Sequence, residues 1–237
     1  MLQPLVPSSM PSMTLSETAV VEPESAARHG ATRRVGWAIM TVFALAVGGY
    51  AVAVVASGFR LLPAEVASNR FPTALGLRVH IVASGLALLL GPFQFARSVR
   101  GRVPSVHRWM GRTYIFACLV GGVSGGAIAL FSASGPVAGA GFLALAVCWL
   151  GATLLGFRAI RTGDVTRHRR WMIRSFALTY AAVTLRIYVP LALVGGFEFA
   201  EAYRVIAWLC WLPNLLVAQL LLGRPSIGPS PSAAGRH

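Results

Sequence analysis

The chain has 237 residues, of which 56% are apolar and only 12% are charged. Soluble domains carry roughly 25% charged residues, so this composition excludes an ordinary soluble domain, a disordered chain and a disulfide scaffold. The 21 basic residues outnumber the 7 acidic ones and give a net charge of +14. All 21 are arginines, which is typical of a GC-rich bacterial genome. The sequence therefore predicts a multi-pass membrane protein of a bacterium.

Long apolar segments follow one another along the chain. A helix needs about 20 mostly apolar residues to cross ~30 Å of hydrocarbon, and the segments are too long for strands of a membrane β-barrel. The sequence predicts an all-α bundle of six transmembrane helices, at residues 35–56, 74–95, 111–133, 137–158, 171–195 and 202–222. The predicted organisation is a flexible N-terminal tail (1–33), a six-helix transmembrane domain (34–223) and a flexible C-terminal tail (224–237).

Arginine is distributed unevenly between alternate connections, and this distribution predicts the orientation of the helices. Sixteen arginines precede the first helix, fill the second and fourth connections or follow the last helix, and four lie on the opposite side. Because cytoplasmic loops carry an excess of basic residues, both termini are expected in the cytoplasm, with the chain in the bacterial cytoplasmic (inner) membrane. The expected partners of these arginines are anionic lipid headgroups of the bilayer and not nucleic acid. Whether a membrane protein partner exists is left open.

Small residues and one proline predict how the helices approach each other. The third connection, residues 132–136, is short and nearly chargeless, which predicts a tight hairpin of the third and fourth helices. Pro213 predicts a kink in the sixth helix, because proline lacks the N–H that the helical ladder needs. The third helix carries two glycine pairs that let a neighbouring backbone approach closely, Gly121 with Gly125 and Gly122 with Gly126.

Two segments of the chain resemble each other. RWMGRT at residues 108–113 is similar to RWMIRS at residues 170–175, and a histidine precedes each, His107 and His168. Both segments mark the predicted cytoplasmic start of a helix that runs outward. Two histidines are therefore expected at the same depth on parallel helices. The match fits a parallel internal repeat, and it also fits a chance pairing of the Arg and Trp residues that anchor helices at the membrane interface.

A histidine pair at one depth can hold a haem. Imidazoles from neighbouring helices can ligate haem iron axially, which makes His107 and His168 candidate metal ligands of one b-type haem. On the same face, Gly111 would leave room for the flat macrocycle, Tyr114 would offer a hydrogen bond and Arg112 would help to neutralise the propionates. An inner pair on helices three and five resembles the organisation of cytochrome b561-type proteins. That resemblance implies a further pair on helices two and four, but helix four has no histidine, so only a single haem is predicted.

A second polar group is expected near the outer face. Arg186 lies inside the apolar span of the fifth helix, where a charge is costly and normally faces the bundle interior with a partner. Such a group could bind a carboxylate or a phosphate, or it could be a structural Arg–Glu clamp, and the sequence leaves both open. The predicted outer polar cluster consists of His80, Arg186, Tyr188, Glu198, Glu201 and Arg204.

Several motifs together resemble a known family. Over about residues 74–220 the pattern is similar to the bacterial predicted membrane proteins called domain of unknown function 2306. The resemblance implies a helical bacterial membrane protein and implies no activity. The motifs are the segment 80–85, GPFQF at 91–95, HRWMGRTY at 107–114, HRRWMIRS at 168–175 and Trp208-x-x-Trp211-x-Pro213-Asn214.

Three functions are consistent with these patterns. The first is a membrane redox protein that uses the histidine pair His107 and His168 to hold one haem b. The second is a transporter or a small-molecule-binding membrane protein that uses the outer polar cluster around Arg186 and His80. The third is a non-catalytic membrane scaffold. Whether the protein is an enzyme is left open, since the sequence has no zinc motif, phosphate loop or nucleophile–base signature.

Overall fold

The computed structural model describes residues 23–62 and 73–223, and within these ranges the chain forms helices and no strands. By its internal packing the chain divides into residues 1–38 and residues 39–237, and every contact described below lies within the second unit. The all-α prediction is confirmed. The helices of the described residues are α1 (Pro23–Ala56), α2 (Thr73–Gln94), α3 (Arg97–Arg102), α4 (Pro104–Ala129), α5 (Pro136–Arg161), α6 (Val165–Thr179), α7 (Ala181–Val194), α8 (Phe199–Leu209) and α9 (Leu212–Gly223).

Six helical stretches of the described residues are long and apolar enough to cross a membrane, which confirms the six predicted spans. Three spans begin five to seven residues earlier than predicted, the first at Gly30, the third at Pro104 and the fifth at Val165. The third span begins at Pro104 instead of residue 111, because proline is well suited to the first turn of a helix, and His107 therefore lies inside α4. The first helix begins at Pro23 and not at residue 35. Residues 23–33 of the predicted flexible N-terminal tail (1–33) are helical. The rest of that tail and the predicted C-terminal tail (224–237) lie outside the described residues.

The sixth span is broken where the sequence predicts a kink. Helix α8 ends at Leu209 and α9 begins at Leu212, directly before Pro213. The carbonyl of Cys210 lies at this break and accepts hydrogen bonds from Thr184 Oγ1 at 2.6 Å and Asn214 Nδ2 at 3.0 Å. Since hydrocarbon offers no partner to a freed backbone group, these two side chains make the break tolerable inside the membrane.

Close helix packing follows from the glycine pairs. Helix α2 packs along α4, and α5 packs against α4, α6 and α8. A Cβ at Gly125 would lie 2.8 Å from His80 Nδ1 of α2, and a Cβ at Gly122 would lie 2.7 Å from Leu150 Cδ2 of α5. At these two glycines, side chains of α2 and α5 occupy the space that a Cβ would need. A neighbouring backbone atom, the nitrogen of Ser84, comes close only at Gly121, 3.4 Å from the position of its Cβ.

Candidate functional site

The structure brings the two predicted haem ligands to the same end of the bundle. One span separates α4 from α6, so these two helices run in parallel, and His107 and His168 both lie near their starts. His107 is within electrostatic range of His168 and of Arg100 and Arg108. Both histidines are half-buried. The pair therefore lies at a helix end surrounded by positive charge.

The hydrogen bond of His168 determines which of its ring nitrogens is available. Nδ1 of His168 lies 2.8 Å from the carbonyl oxygen of Gly156 on α5. Because a carbonyl only accepts, Nδ1 carries the proton, and Nε2 is the nitrogen left for a metal or another partner. Histidines that bind metals usually donate their other N–H to a carbonyl or carboxylate in this way. Gly156 also lets α6 approach α5 closely, since a Cβ there would lie 2.8 Å from Met172 Sδ.

Two buried polar atoms at this end of the bundle have no described hydrogen-bond partner, one in His107 and one in Gln94. Nδ1 of His107 and Nε2 of Gln94 are buried and have no hydrogen-bond partner in the part of the chain that the structure describes. A buried polar atom left unpaired costs about 1–3 kcal/mol, so these two atoms are the groups at this end of α2 and α4 that are available to bond to a further group. Gln94 is not among the functional residues predicted from the sequence. The pattern that could have indicated it is an amide side chain at the end of an apolar span, within GPFQF.

Gly111 does not leave the free space that a macrocycle was expected to need. Oε1 of Gln94 lies 3.4 Å from the position that a Cβ of Gly111 would take. The amide of Gln94 thus lies directly beside Gly111. Arg112 is exposed, and its guanidinium lies 5.1 Å from the ring centroid of Trp109.

Tyr114 does not face an open site either, because its hydroxyl belongs to a buried polar network. Tyr114 is 1% exposed, and its Oη lies 2.9 Å from Thr179 Oγ1 and 3.1 Å from Ser175 Oγ, both on α6. The indole N–H of Trp149 on α5 donates to Thr179 Oγ1 at 2.9 Å, and Thr153 Oγ1 lies 2.8 Å from Ser175 Oγ. The network joins α4, α5 and α6 in the core, and the expected hydrogen bond from Tyr114 to a haem is not supported.

The two similar segments form the same local contact. The guanidinium of Arg112 lies over Trp109 on α4, and that of Arg174 lies over Trp171 on α6, 4.7 Å from the ring centroid. Each pair is three residues apart, the spacing at which helical side chains meet. Arg174 also donates to Gln219 Oε1 at 2.9 Å. The likeness of the two segments thus extends from sequence to side-chain geometry.

The members of the predicted outer polar cluster make separate contacts. His80 Nδ1 donates to the carbonyl of Gly121 at 2.8 Å. Arg204 Nε donates to the carbonyl of Ser134 at 3.2 Å, which ties α8 to the connection between α4 and α5. Glu198 caps α8 by accepting from the backbone N–H of Glu201 at 3.1 Å, and both glutamates are exposed.

Arg186 is half-buried, and its contacts are aromatic and backbone groups. Its Nη1 donates to the carbonyl of Ala182 at 3.1 Å, and its guanidinium lies 5.6 Å from the ring centroid of Tyr50. Tyr203 and His80 are within electrostatic range. Neither glutamate expected as its partner is bonded to it, and Tyr188 is partly buried against the main apolar core. Arg186 thus lies near His80 and near Tyr50 and Tyr203, two tyrosines outside the predicted cluster.

The described residues contain no group of three or more His, Cys, Asp and Glu side chains that could hold a metal ion alone. Fold and site together define a polytopic α-helical membrane protein with a histidine pair near one end. The chain belongs to the family described as "Predicted membrane protein (DUF2306)", which matches residues 77–222. This result confirms the resemblance stated above. No curated protein matches the chain, and no solved structure matches it.

Proposed function

We propose that the protein is a membrane redox protein that holds one b-type haem between His107 and His168. The observation that carries the proposal is the state of the two imidazoles. They lie within electrostatic range of each other on parallel helices, and Nδ1 of His168 donates to a carbonyl, which leaves Nε2 free. Nδ1 of His107 is buried and has no hydrogen-bond partner among the described residues. Paired histidines are a common way to hold haem iron.

The residues around the pair fit such a group in part. His107 and His168 would hold the iron, and Arg100 and Arg108 would balance the negative charge of the haem. The unpaired amide of Gln94 is a further hydrogen-bond donor at the same place. A haem bound there would supply one-electron transfer. The chain's own contribution would be ligation, positive charge and the exclusion of lipid from the pair.

An absorption spectrum tests the proposal. The protein is produced in cells supplied with a haem precursor, purified in detergent and examined for a Soret band, with haem quantified per chain. We expect one haem per chain, and we expect His107→Ala and His168→Ala each to abolish the band. His80→Ala is the matched control, because His80 is the third histidine of the bundle and is bonded to Gly121 at another place.

Two outcomes would contradict the proposal. One is a colourless protein from haem-supplied cells, and the other is a Soret band that survives both substitutions. Gel filtration of every variant separates loss of haem from loss of fold, since an unfolded variant would not elute as the monodisperse wild-type species.

A second candidate function is the binding or transport of a small anion at Arg186. Its support is a half-buried guanidinium that donates to a backbone carbonyl and lies over Tyr50, while no carboxylate among the described residues pairs with it. An unpaired charge inside a membrane span usually marks a functional site. The chemistry would suit a small carboxylate or phosphate compound.

For either function, the proposed setting is the bacterial cytoplasmic membrane. The end of the bundle that carries His107 and His168 would face the cytoplasm, where the excess of arginines meets anionic headgroups. An electron carrier at this end would exchange electrons with cytoplasmic donors or acceptors.

A further inference from the structure

A groove and a cleft meet at Arg78, at the opposite end of α2 from Gln94. The groove runs between α2 and α4, has a volume of about 330 Å³ and is lined by apolar side chains that include Val82, Leu86 and Phe116. The cleft has a volume of about 140 Å³ and is lined by residues after α1, including Phe59 and Arg60. Arg78 lines both hollows. The two hollows together thus have an apolar part and a cationic part.

The groove opens to the hydrocarbon of the membrane. Val82 is 50% exposed and Phe116 is 68% exposed, although both lie within membrane spans. Ala83 and Ala117 lie at its floor and are buried. An apolar channel of this kind, open along the bundle surface, has the chemistry of an acyl-chain site.

The cationic part has no acidic partner among the described residues. The guanidinium of Arg78 lies 5.1 Å from the ring centroid of Phe59, and no carboxylate of the described residues pairs with Arg78 or Arg60. Phe59 itself has a φ of 67°, a left-handed conformation that a bulky residue rarely adopts. The backbone is thus strained at Phe59, the residue whose ring contacts Arg78.

The predicted location of these two arginines is unusual. Arg60 and Arg78 belong to the four arginines on the predicted outer side, where basic residues are disfavoured. Two neighbouring cations on that side, without a described acidic partner, are accounted for if an anion binds between them.

We propose that the groove and the cleft form one binding site for an anionic phospholipid of the leaflet at this end. The phosphate would lie between Arg60 and Arg78, and an acyl chain would lie in the groove along Val82, Leu86 and Phe116. The proposal is independent of the haem, because the site lies at the other end of α2.

Native mass spectrometry of the full chain in detergent, with phosphatidylglycerol or phosphatidylcholine added, tests the proposal. Wild-type protein is expected to bind phosphatidylglycerol more tightly than phosphatidylcholine. Removal of each arginine, in Arg60→Gln and Arg78→Gln, is expected to weaken binding of phosphatidylglycerol about fivefold, the contribution of one arginine near an anionic lipid surface. Val82→Phe fills the groove and is expected to weaken binding of both lipids.

Matched controls are available on the same surface. Val123→Phe introduces the same ring at an exposed position of α4 outside the groove, and Arg204→Gln removes a charge from the same end of the bundle. Both are expected to bind lipid as the wild type does. Equal binding of the two lipids by wild type, or an unchanged preference in the Arg60→Gln/Arg78→Gln double variant, would overturn the proposal. A change of oligomeric state in Val82→Phe without a change in lipid binding would also overturn it and assign the groove to a protein partner.

Discussion

Thr179 is the residue on which the buried network depends most, and its replacement by valine offers a direct test. The Thr179 hydroxyl donates its only proton to the carbonyl of Ser175 at 2.9 Å. Its oxygen therefore accepts from both Trp149 Nε1 and Tyr114 Oη, each at 2.9 Å. Valine has nearly the same shape and no oxygen. In Thr179→Val the indole N–H of Trp149 would have no acceptor, whereas Tyr114 could still bond to Ser175.

The expected magnitudes follow from this difference. A buried donor left unpaired costs about 1–3 kcal/mol, and a typical hydrogen bond contributes about 0.5–1.5 kcal/mol. Thr179→Val is therefore expected to lower the free energy of unfolding by about 1–3 kcal/mol. Tyr114→Phe is expected to lower it by only about 0.5–1.5 kcal/mol, since Thr179 would keep the bond from Trp149.

Reversible unfolding in mixed detergent micelles, followed by tryptophan fluorescence, measures both variants against the wild type. Thr113→Val is the matched control, because the hydroxyl of Thr113 is exposed and bonds only to the carbonyl of Trp109 on its own helix. If Thr179→Val proves no more destabilising than Tyr114→Phe or Thr113→Val, the assignment of Thr179 as the shared acceptor of the network is wrong.

Three further predictions concern the hairpin, the outer site and the orientation. Gly139→Ala is expected to destabilise the α4–α5 hairpin by about 1–3 kcal/mol, because its Cβ would lie 2.7 Å from the backbone oxygen of Ala129. Gly151→Ala is the control, because its Cβ would meet nothing within 4 Å. This control is expected to leave the melting temperature in detergent unchanged or raised. If Arg186 binds an anion, inorganic phosphate or a small carboxylate should raise the melting temperature of the wild type and not of Arg186→Gln; equal shifts in both would count against the site. A C-terminal fusion to alkaline phosphatase is expected to be inactive and a fusion to green fluorescent protein fluorescent, and the reverse pattern would refute the cytoplasmic C-terminus.

Much of the fold could be predicted from the sequence, while the surroundings of the candidate site could not. The spans were predictable because each needs about 20 apolar residues, and the break at Pro213 because proline has no N–H to donate. The glycine pairs of α4 correctly indicated close packing. The neighbours of Gly111 and Tyr114 could not be predicted, since a helical repeat shows which residues share a face but not which neighbouring helix that face meets.

The sequence by itself determined the class of protein, the six spans, the family and the placement of two histidines at one end of parallel helices. All of these follow from composition, segment length and the alternation of spans across the membrane. Only the tertiary structure decided that Gln94 fills the space beside Gly111, that Tyr114 bonds to Ser175 and Thr179, and that Arg186 lies beside Tyr50. Such contacts depend on the rotation and tilt of each helix, which are determined by packing against its neighbours and not by hydrophobicity along the chain.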